Sequence, residues 1–468
     1  MAMNDIFLGF DFGTYTTKVS YYRSKDKIPK ILHIPPFCDS SSGIIYSFIS
    51  KDFSKIGKEA YKDYKSGSNE IDYGFKMKLD TDEGYERSKR FLKAIYEGAL
   101  KRLKEIGLEL KGVRFSVPNS WVSDENARFL RLLQEIGVIK DYNQDIIERE
   151  PYAAAVYHIF KDIDRAGKRA LVIDAGAGTI DITVGDITSE GNFKEIEKSY
   201  KTLEKSGRFV DERIKEFYNL ENLWQAENLK FLLSYEFGKG NEEVLHNNVY
   251  YKKTEFEEEC LKDWIQDYKN FLSEFKKYNP EYVLFAGGFS AFYLIKKVAK
   301  DLFPKANEYP VKEKEHPLIY RELRIDASIS KGCSILASGT ISIVETIKYD
   351  VYWKLYSWTE IEDITYKDEK VEFKKGKNKG EYLIQLFQNI DYVNKIVDLS
   401  KYKINGEPFE VKSYGSIKIV IKDRNKEVEK ELPIKHTKLK GKVLSNLKFE
   451  IDRNKVFKVI YEYEDGNS

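Results

Sequence analysis

The chain is poor in the residues that build disulfide or zinc frameworks. Its 468 residues include three cysteines, Cys38, Cys260 and Cys333, and five histidines. Three cysteines cannot form a full set of bridges, and none sits in a CxxC pair. The histidines form no HExxH motif. A disulfide scaffold and a zinc site are therefore not expected. No run of 18 apolar residues occurs, so no membrane span is expected. The N-terminus, MAMNDIFLGFDFG, lacks the basic-then-apolar pattern of a secretory leader, and a reducing, cytoplasmic setting is expected. Neither sign of charge is in excess: Lys+Arg 78 against Asp+Glu 76 gives +2. That balance argues against a protein that coats nucleic acid.

What is present is enough apolar sequence, 42%, for real cores in a chain of roughly three domains. Residues 6 to 22, IFLGFDFGTYTTKVSYY, read as two strands joined by a tight turn. A helix is expected over 84 to 106, with Phe91, Ile95, Ala99 and Leu103 on one face. GVRFSV, 112 to 117, reads as a buried strand ended by Pro118. Helices follow over 123 to 137 and 152 to 160, the second opened by Pro151. Then the pattern restarts. ALVIDAGAGTIDITVGDI, 170 to 187, is again strand, Gly turn, strand. Helices are expected over 208 to 236, 255 to 276 and 326 to 338. EYVLFA, 281 to 286, is a strand running into Gly287-Gly288. Beyond about 345 the sequence alternates in the manner of β-strands: EYLIQLF, SIKIVIK, LKFEI and KVFKVIYEY. That region reads as a small all-β sandwich or barrel.

The two strand–turn–strand units form a weak repeat. Asp11, Gly13 and Thr14 in the first correspond to Asp174, Gly176 and Thr179 in the second. A duplication of this kind implies two similar lobes facing each other. A Gly-containing hairpin lets backbone N–H groups approach phosphate oxygens, and an Asp just before it can hold hydrated Mg²⁺. One such turn is common; two, a lobe apart, are more informative. Glu150, before the Pro151 helix, is placed to orient Mg²⁺ or an attacking water, or simply to stabilise a helix N-terminus. Asp181 is either a water-holding group or a solvent-facing strand carboxylate. Lys18 and Lys76 are the candidates for neutralising charge on a terminal phosphate. VLFAGGFS, 283 to 290, offers a Gly-Gly turn on which a base or ribose can lie.

In this order the motifs resemble the heat-shock protein 70 (DnaK-type) family of the actin/hexokinase-like ATPase superfamily. LGFDFGTYTTK, VRFSVPNSW, IIEREPYAAAV, LVIDAGAGTIDITV, SGRFVDERI, AENLKFLLS, VLFAGGFS and DASISKGCSILAS follow the family's sequence of elements over residues 6 to 338. The resemblance implies an α/β fold. It would be a two-lobed actin-like ATPase of duplicated ribonuclease-H-like domains, followed by a C-terminal all-β sandwich. Lobe I would cover 1–165, lobe II 166–340, a connecting stretch 341–350 and the sandwich 351–468. It implies Mg²⁺-side carboxylates at Asp11 and Asp174. Phosphate loops would be lined by Gly13, Thr14, Tyr15, Lys18, Gly176, Ala177, Gly178 and Thr179. Lys76 would be the catalytic lysine, with Lys78 the alternative, and Glu150, Asp181 and Thr179 would surround the attacking water. Gly207, Glu227, Lys230, Phe231, Gly287, Gly288, Phe289 and Asp326 would complete the nucleotide site, with Pro118 and Pro151 relaying nucleotide state. ATP or ADP with Mg²⁺ is the implied cofactor. A peptide or protein client in the β domain and a co-chaperone or exchange factor are the implied partners; neither nucleic acid nor membrane is.

The sequence departs from the family in four places. Tyr15 replaces a small hydroxyl residue, and Ala177 replaces a Gly of the second loop. Phe231 and Ala291 stand where two arginines usually hold adenine. No helical lid follows the β strands, which implies rapid release of a bound peptide. Three other readings remain: a nucleotide-binding scaffold with little turnover, an actin-like filament ATPase, and a small-molecule kinase.

Overall fold

The computed structural model describes the chain except for residues 1–4, 27, 122, 142–144, 162–166, 310–324, 345–348, 358, 389–394, 409–415, 424–425, 434–443 and 464–468. The expected lobe boundary at 165/166 and the middle of the 341–350 connection lie outside the described residues. The chain is mixed α/β and divides into two compact units. One comprises residues up to Trp121 together with Arg128–Ile343; the other comprises Val122–Ala127 with Val344–Ser468. The division at Ile343 falls inside the expected connecting stretch. Among the described residues no helix is long and apolar enough to cross a membrane.

The first unit is built on two sheets of the same plan. Strands β1 (Asp5–Phe12) and β2 (Thr16–Tyr22) form an antiparallel hairpin. Strand β3 (Glu109–Val117) lies parallel to β1, and β4 (Ile147–Arg149) parallel to β3. The second sheet repeats this. Strands β5 (Arg169–Ala175) and β6 (Ile180–Ile187) form the hairpin. Strand β7 (Tyr282–Ala286) lies parallel to β5, and Asn307–Tyr309 parallel to β7. β1 and β5 are nearly all buried, so they read as continuous apolar runs interrupted by an acid near the end.

Two helices lie between these sheets. Helix α2 (Glu150–Lys161) follows the last strand of the first sheet yet packs on β5, β6 and β7 of the second. Helix α5 (Ser328–Ala337) follows the second sheet and packs on β1, β2 and β3 of the first. The two helices also pack on each other. Their small residues permit this. A Cβ on Gly332 would lie 1.7 Å from the Ala153 carbonyl oxygen, and one on Gly9 of β1 would lie 2.0 Å from the Ser330 carbonyl. The backbones are already in contact, so glycine is required at both points. Helix α1 (Asp82–Glu105) buries Phe91, Ile95, Ala99 and Leu103, the face expected from its periodicity. It starts at Thr81, whose side chain accepts from Gly84 N.

The second unit is antiparallel β throughout its described strands. Glu381–Phe387, Asp350–Tyr356 and Ser416–Asp423 are the centre of a five-stranded sheet. A four-stranded sheet contains Ile364–Tyr366 and Tyr402–Ile404, and a three-stranded one pairs Leu444–Ile451 with Phe457–Tyr463. One core joins them, with Trp353, Ile384, Ile364, Tyr402 and Phe449 among its members. Alternation decides which residues enter it: Val351 and Trp353 point inward. Lys354, the residue after Trp353, points to the other face and pairs with Glu381 and Glu429, at 3.2 and 2.7 Å.

The helix contact makes a prediction. Gly332→Ala must push α2 and α5 apart, and overpacking of this kind costs about 1–3 kcal/mol. A denaturant titration should show that loss, while Gly288→Ala, where a Cβ meets nothing within 4 Å and the backbone is not left-handed, should show a smaller one.

Candidate active site

The two hairpins end face to face. The β1–β2 register pairs Asp11 with Lys18, and this sets Lys18 Nζ 3.6 Å from Asp11 Oδ2. Lys18 Nζ also donates to Thr16 Oγ1 at 2.7 Å. At the tip, Ser47 Oγ donates to the Gly13 carbonyl at 2.7 Å, and a Cβ on Gly13 would lie 2.3 Å from the Thr16 carbonyl. In the second hairpin β5–β6 pairs Asp174 with Asp181. Its carbonyls are engaged by the start of helix α3 (Gly207–Phe217): Arg208 N donates to Ala177 O, and Ser206 Oγ to Gly176 O. A Cβ on Gly178 would lie 3.2 Å from Thr14 Oγ1 of the other hairpin. Gly287 follows β7 with φ 77, and a Cβ there would lie 2.6 Å from Asp174 Oδ1. A left-handed backbone and an adjacent carboxylate both demand glycine.

Lys76 enters from the side. It sits on a short helical turn, Phe75–Lys78, that follows Gly74 in the left-handed region. The turn is pinned against α1, because Thr81 Oγ1 donates to the Lys78 carbonyl at 2.8 Å. Lys76 is buried, and its Nζ lies 2.5 Å from Glu150 Oε1. The rings of Phe12 and Trp121 lie 5.7 and 5.8 Å from that nitrogen. Lys78 is exposed and lines no part of the cavity. Of the two lysines on this turn, Lys76 is the one at the site.

Four acids are buried around these lysines: Asp11, Glu150, Asp174 and Asp181. Burial pushes the Asp11 carboxyl up to about 6, against the opposing pull of Lys18. Burial, then the charges of Glu150, Asp181 and Asp11, hold Asp174 well above the carboxylate range. Burial also raises Glu150, with Lys76 opposing. It raises Asp181 too, with hydrogen bonds from Thr202 and Thr179 opposing. Asp181 is thus not a solvent-facing strand residue. Nor does it line the cavity. It accepts from Thr179 Oγ1 at 2.8 Å and from Thr202 Oγ1 at 2.5 Å, and so reaches the cavity lining only through Thr179.

These groups surround a cavity of about 1170 Å³, just above the usual range of about 300–1,000 Å³ for small-molecule sites. Both hairpins line it, as do Asp11, Lys18, Lys76, Pro118, Glu150, Asp174, Gly287, Gly288, Phe289 and Asp326. Pro151 does not. One wall is helix α4 (Leu223–Gly238), started by Asn222, whose side chain accepts from Gln225 N at 3.0 Å. It presents Glu227, Lys230 and Phe231. Lys230 Nζ is held by Asp211 Oδ1 of α3 at 2.7 Å. Phe231 is 56% exposed, and its ring lines the cavity. Asp211, Arg208, Tyr61 and Tyr293 also line the cavity and were not foreseen. Asp211 had a signal, its place in SGRFVDERI four residues after Gly207.

Among the described residues no group of three or more His, Cys, Asp or Glu side chains is placed to hold a metal ion. The two carboxylates expected on the metal side, Asp11 and Asp174, both line the cavity from opposite hairpins. Two carboxylates with room around them suit Mg²⁺, which keeps several of its waters, better than a cation needing a full protein cage. No protein-family model matches the chain, and no curated protein does.

The raised acids predict a pH dependence. An acid whose folded value lies above its unfolded one favours the fold while protonated. For Asp11 that contribution is full below its ordinary 3.8 and is lost as pH rises through about 6. Urea midpoints of the ligand-free protein should fall between about pH 4 and about pH 7. Asp11→Asn should flatten part of that fall, leaving the part due to Asp174, Glu150 and Asp181.

Proposed function

We propose that the chain binds Mg²⁺–ATP in this cavity and hydrolyses it, as a divergent heat-shock-protein-70-like ATPase with the actin-like two-lobed fold. The observation that carries this reading is the meeting of the two hairpins. Each ends a copy of the same sheet plan, each brings an Asp and a Thr, and the tips come together over buried lysines. Phosphates suit such a place, because Gly-containing turns offer N–H groups and tolerate close approach.

The residues take the following parts. Gly13, Thr14, Gly176, Ala177, Gly178 and Thr179 bind phosphate oxygens. Asp11 and Asp174 hold the hydrated Mg²⁺, which when bound offsets phosphate charge. Lys76 stabilises the charge that develops on the terminal phosphoryl group. Glu150, paired with Lys76, orients the attacking water, and Asp181 holds Thr179 in place. Lys230, fixed by Asp211, and Glu227 face the sugar. Phe231 offers the base a ring to stack on, where the resembled family has an arginine. The C-terminal unit, as a substrate-binding β-sandwich, takes an extended peptide client; its support is the strand pattern and the antiparallel sheets around one core.

Titration calorimetry with ATP and ADP in Mg²⁺ tests the reading. Wild type should bind both, and Asp174→Ala should lose the Mg²⁺-dependent part. Lys76→Ala should lower kcat by about 10²–10³-fold, the usual loss of one transition-state donor. Absence of nucleotide binding to wild type would overturn the proposal. Binding without turnover would leave a nucleotide-controlled scaffold.

A further inference from the structure

One hydrogen bond spans the cavity. Tyr15, at the tip of the first hairpin, donates from Oη to Glu227 Oε2 of α4 at 2.7 Å. Both residues line the cavity. The tyrosine ring is fixed before it reaches across. It stands edge-on to Phe48 at 5.0 Å and to Tyr61 and Tyr73 at 6.3 Å each. Its backbone carbonyl accepts from Ser47 N at 2.9 Å. Phe48 itself is fully buried. Glu227 is fixed less firmly: among the described residues, Tyr15 is its one hydrogen-bond donor.

In dinucleotide-binding α/β folds a carboxylate at the site takes the ribose 2′-hydroxyl, and Glu227 offers the same group here. It discriminates well only when it is held still, because a mobile one must be ordered each time a ligand binds. Tyr15 occupies Oε2 of Glu227, and among the described residues Oε1 accepts no hydrogen bond. We propose that Tyr15 is a positioning residue for sugar recognition: by clamping Glu227 across the cleft it makes the site select ribonucleotides over 2′-deoxyribonucleotides. The inference rests on the nucleotide reading above. It also gives a task to the bulky residue that replaces a small hydroxyl residue in the resembled loop.

The test compares dissociation constants for ATP and 2′-deoxy-ATP, in Mg²⁺, on the full chain. Wild type should favour ATP by about tenfold or more, as for a hydrogen bond to a charged group. Tyr15→Phe keeps the ring packing and loses the hydroxyl; its preference should fall to about threefold or less. Glu227→Gln, altered at the other end of the same bond, should lose preference as well. A change in packing alone would weaken both nucleotides equally and leave the ratio intact. An unchanged ratio in Tyr15→Phe, or equal binding of the two nucleotides by wild type, would overturn this inference while the nucleotide site stood. Failure of wild type to bind either nucleotide would overturn both.

Discussion

The first unit depends on a crowding of like charge. Four carboxylates, Asp11, Glu150, Asp174 and Asp181, are buried together, and two lysines, Lys18 and Lys76, are buried with them. Isolated buried charge is expensive, so such groups pair, coordinate a cation or take up protons. Pairing and protonation are both present here. Lys76 pairs with Glu150 and Lys18 with Asp11. The remaining acids are driven toward the protonated form. The fold tolerates the arrangement because the acids sit at strand ends, where two rigid sheets hold them whatever their repulsion. A concentration of this sort is more characteristic of a functional site than of a core.

The hairpins and most of the cavity lining were legible in the sequence, because they are local. A strand, an Asp, a Gly turn and a Thr lie within a dozen residues, and the pattern occurs twice. The β1, β2, β5 and β6 boundaries follow from it within a residue or two. The helices were equally plain where apolar spacing was regular, as in α1. The choice between Lys76 and Lys78 was not legible, since adjacent turn residues have the same chemistry and only tertiary packing buries one of them. The setting of Asp181 was hidden for a similar reason. A strand carboxylate faces solvent or interior according to what covers it, and Thr202, on a neighbouring strand, covers it here. Tyr15 and Glu227 stand 212 residues apart. No spacing rule connects them; each was a candidate for the nucleotide site, but their meeting was not.

The C-terminal unit was legible as strands but not as sheets. Period-two alternation shows which side chains share a face, and Val351 and Trp353 follow it. It says nothing of partner order, which turns and long-range pairing decide. Asp350–Tyr356 pairs with both Glu381–Phe387 and Ser416–Asp423, strands that begin about 30 and 65 residues later.

The contact between Gly332 and the Ala153 carbonyl has a mechanical meaning. Main chain touches main chain there, so no rotamer can change to accommodate sliding. Two rods joined at such a point can swivel but cannot shear, like the blades of scissors at their rivet. Each rod is bedded on the sheet opposite to the one it follows in sequence. A swivel therefore moves both sheets at once and in opposite senses. Motion at the rivet is smallest, and it grows with distance toward the hairpin tips. The place where the chain is least able to yield is thus the pivot about which any parting of its far ends would have to turn.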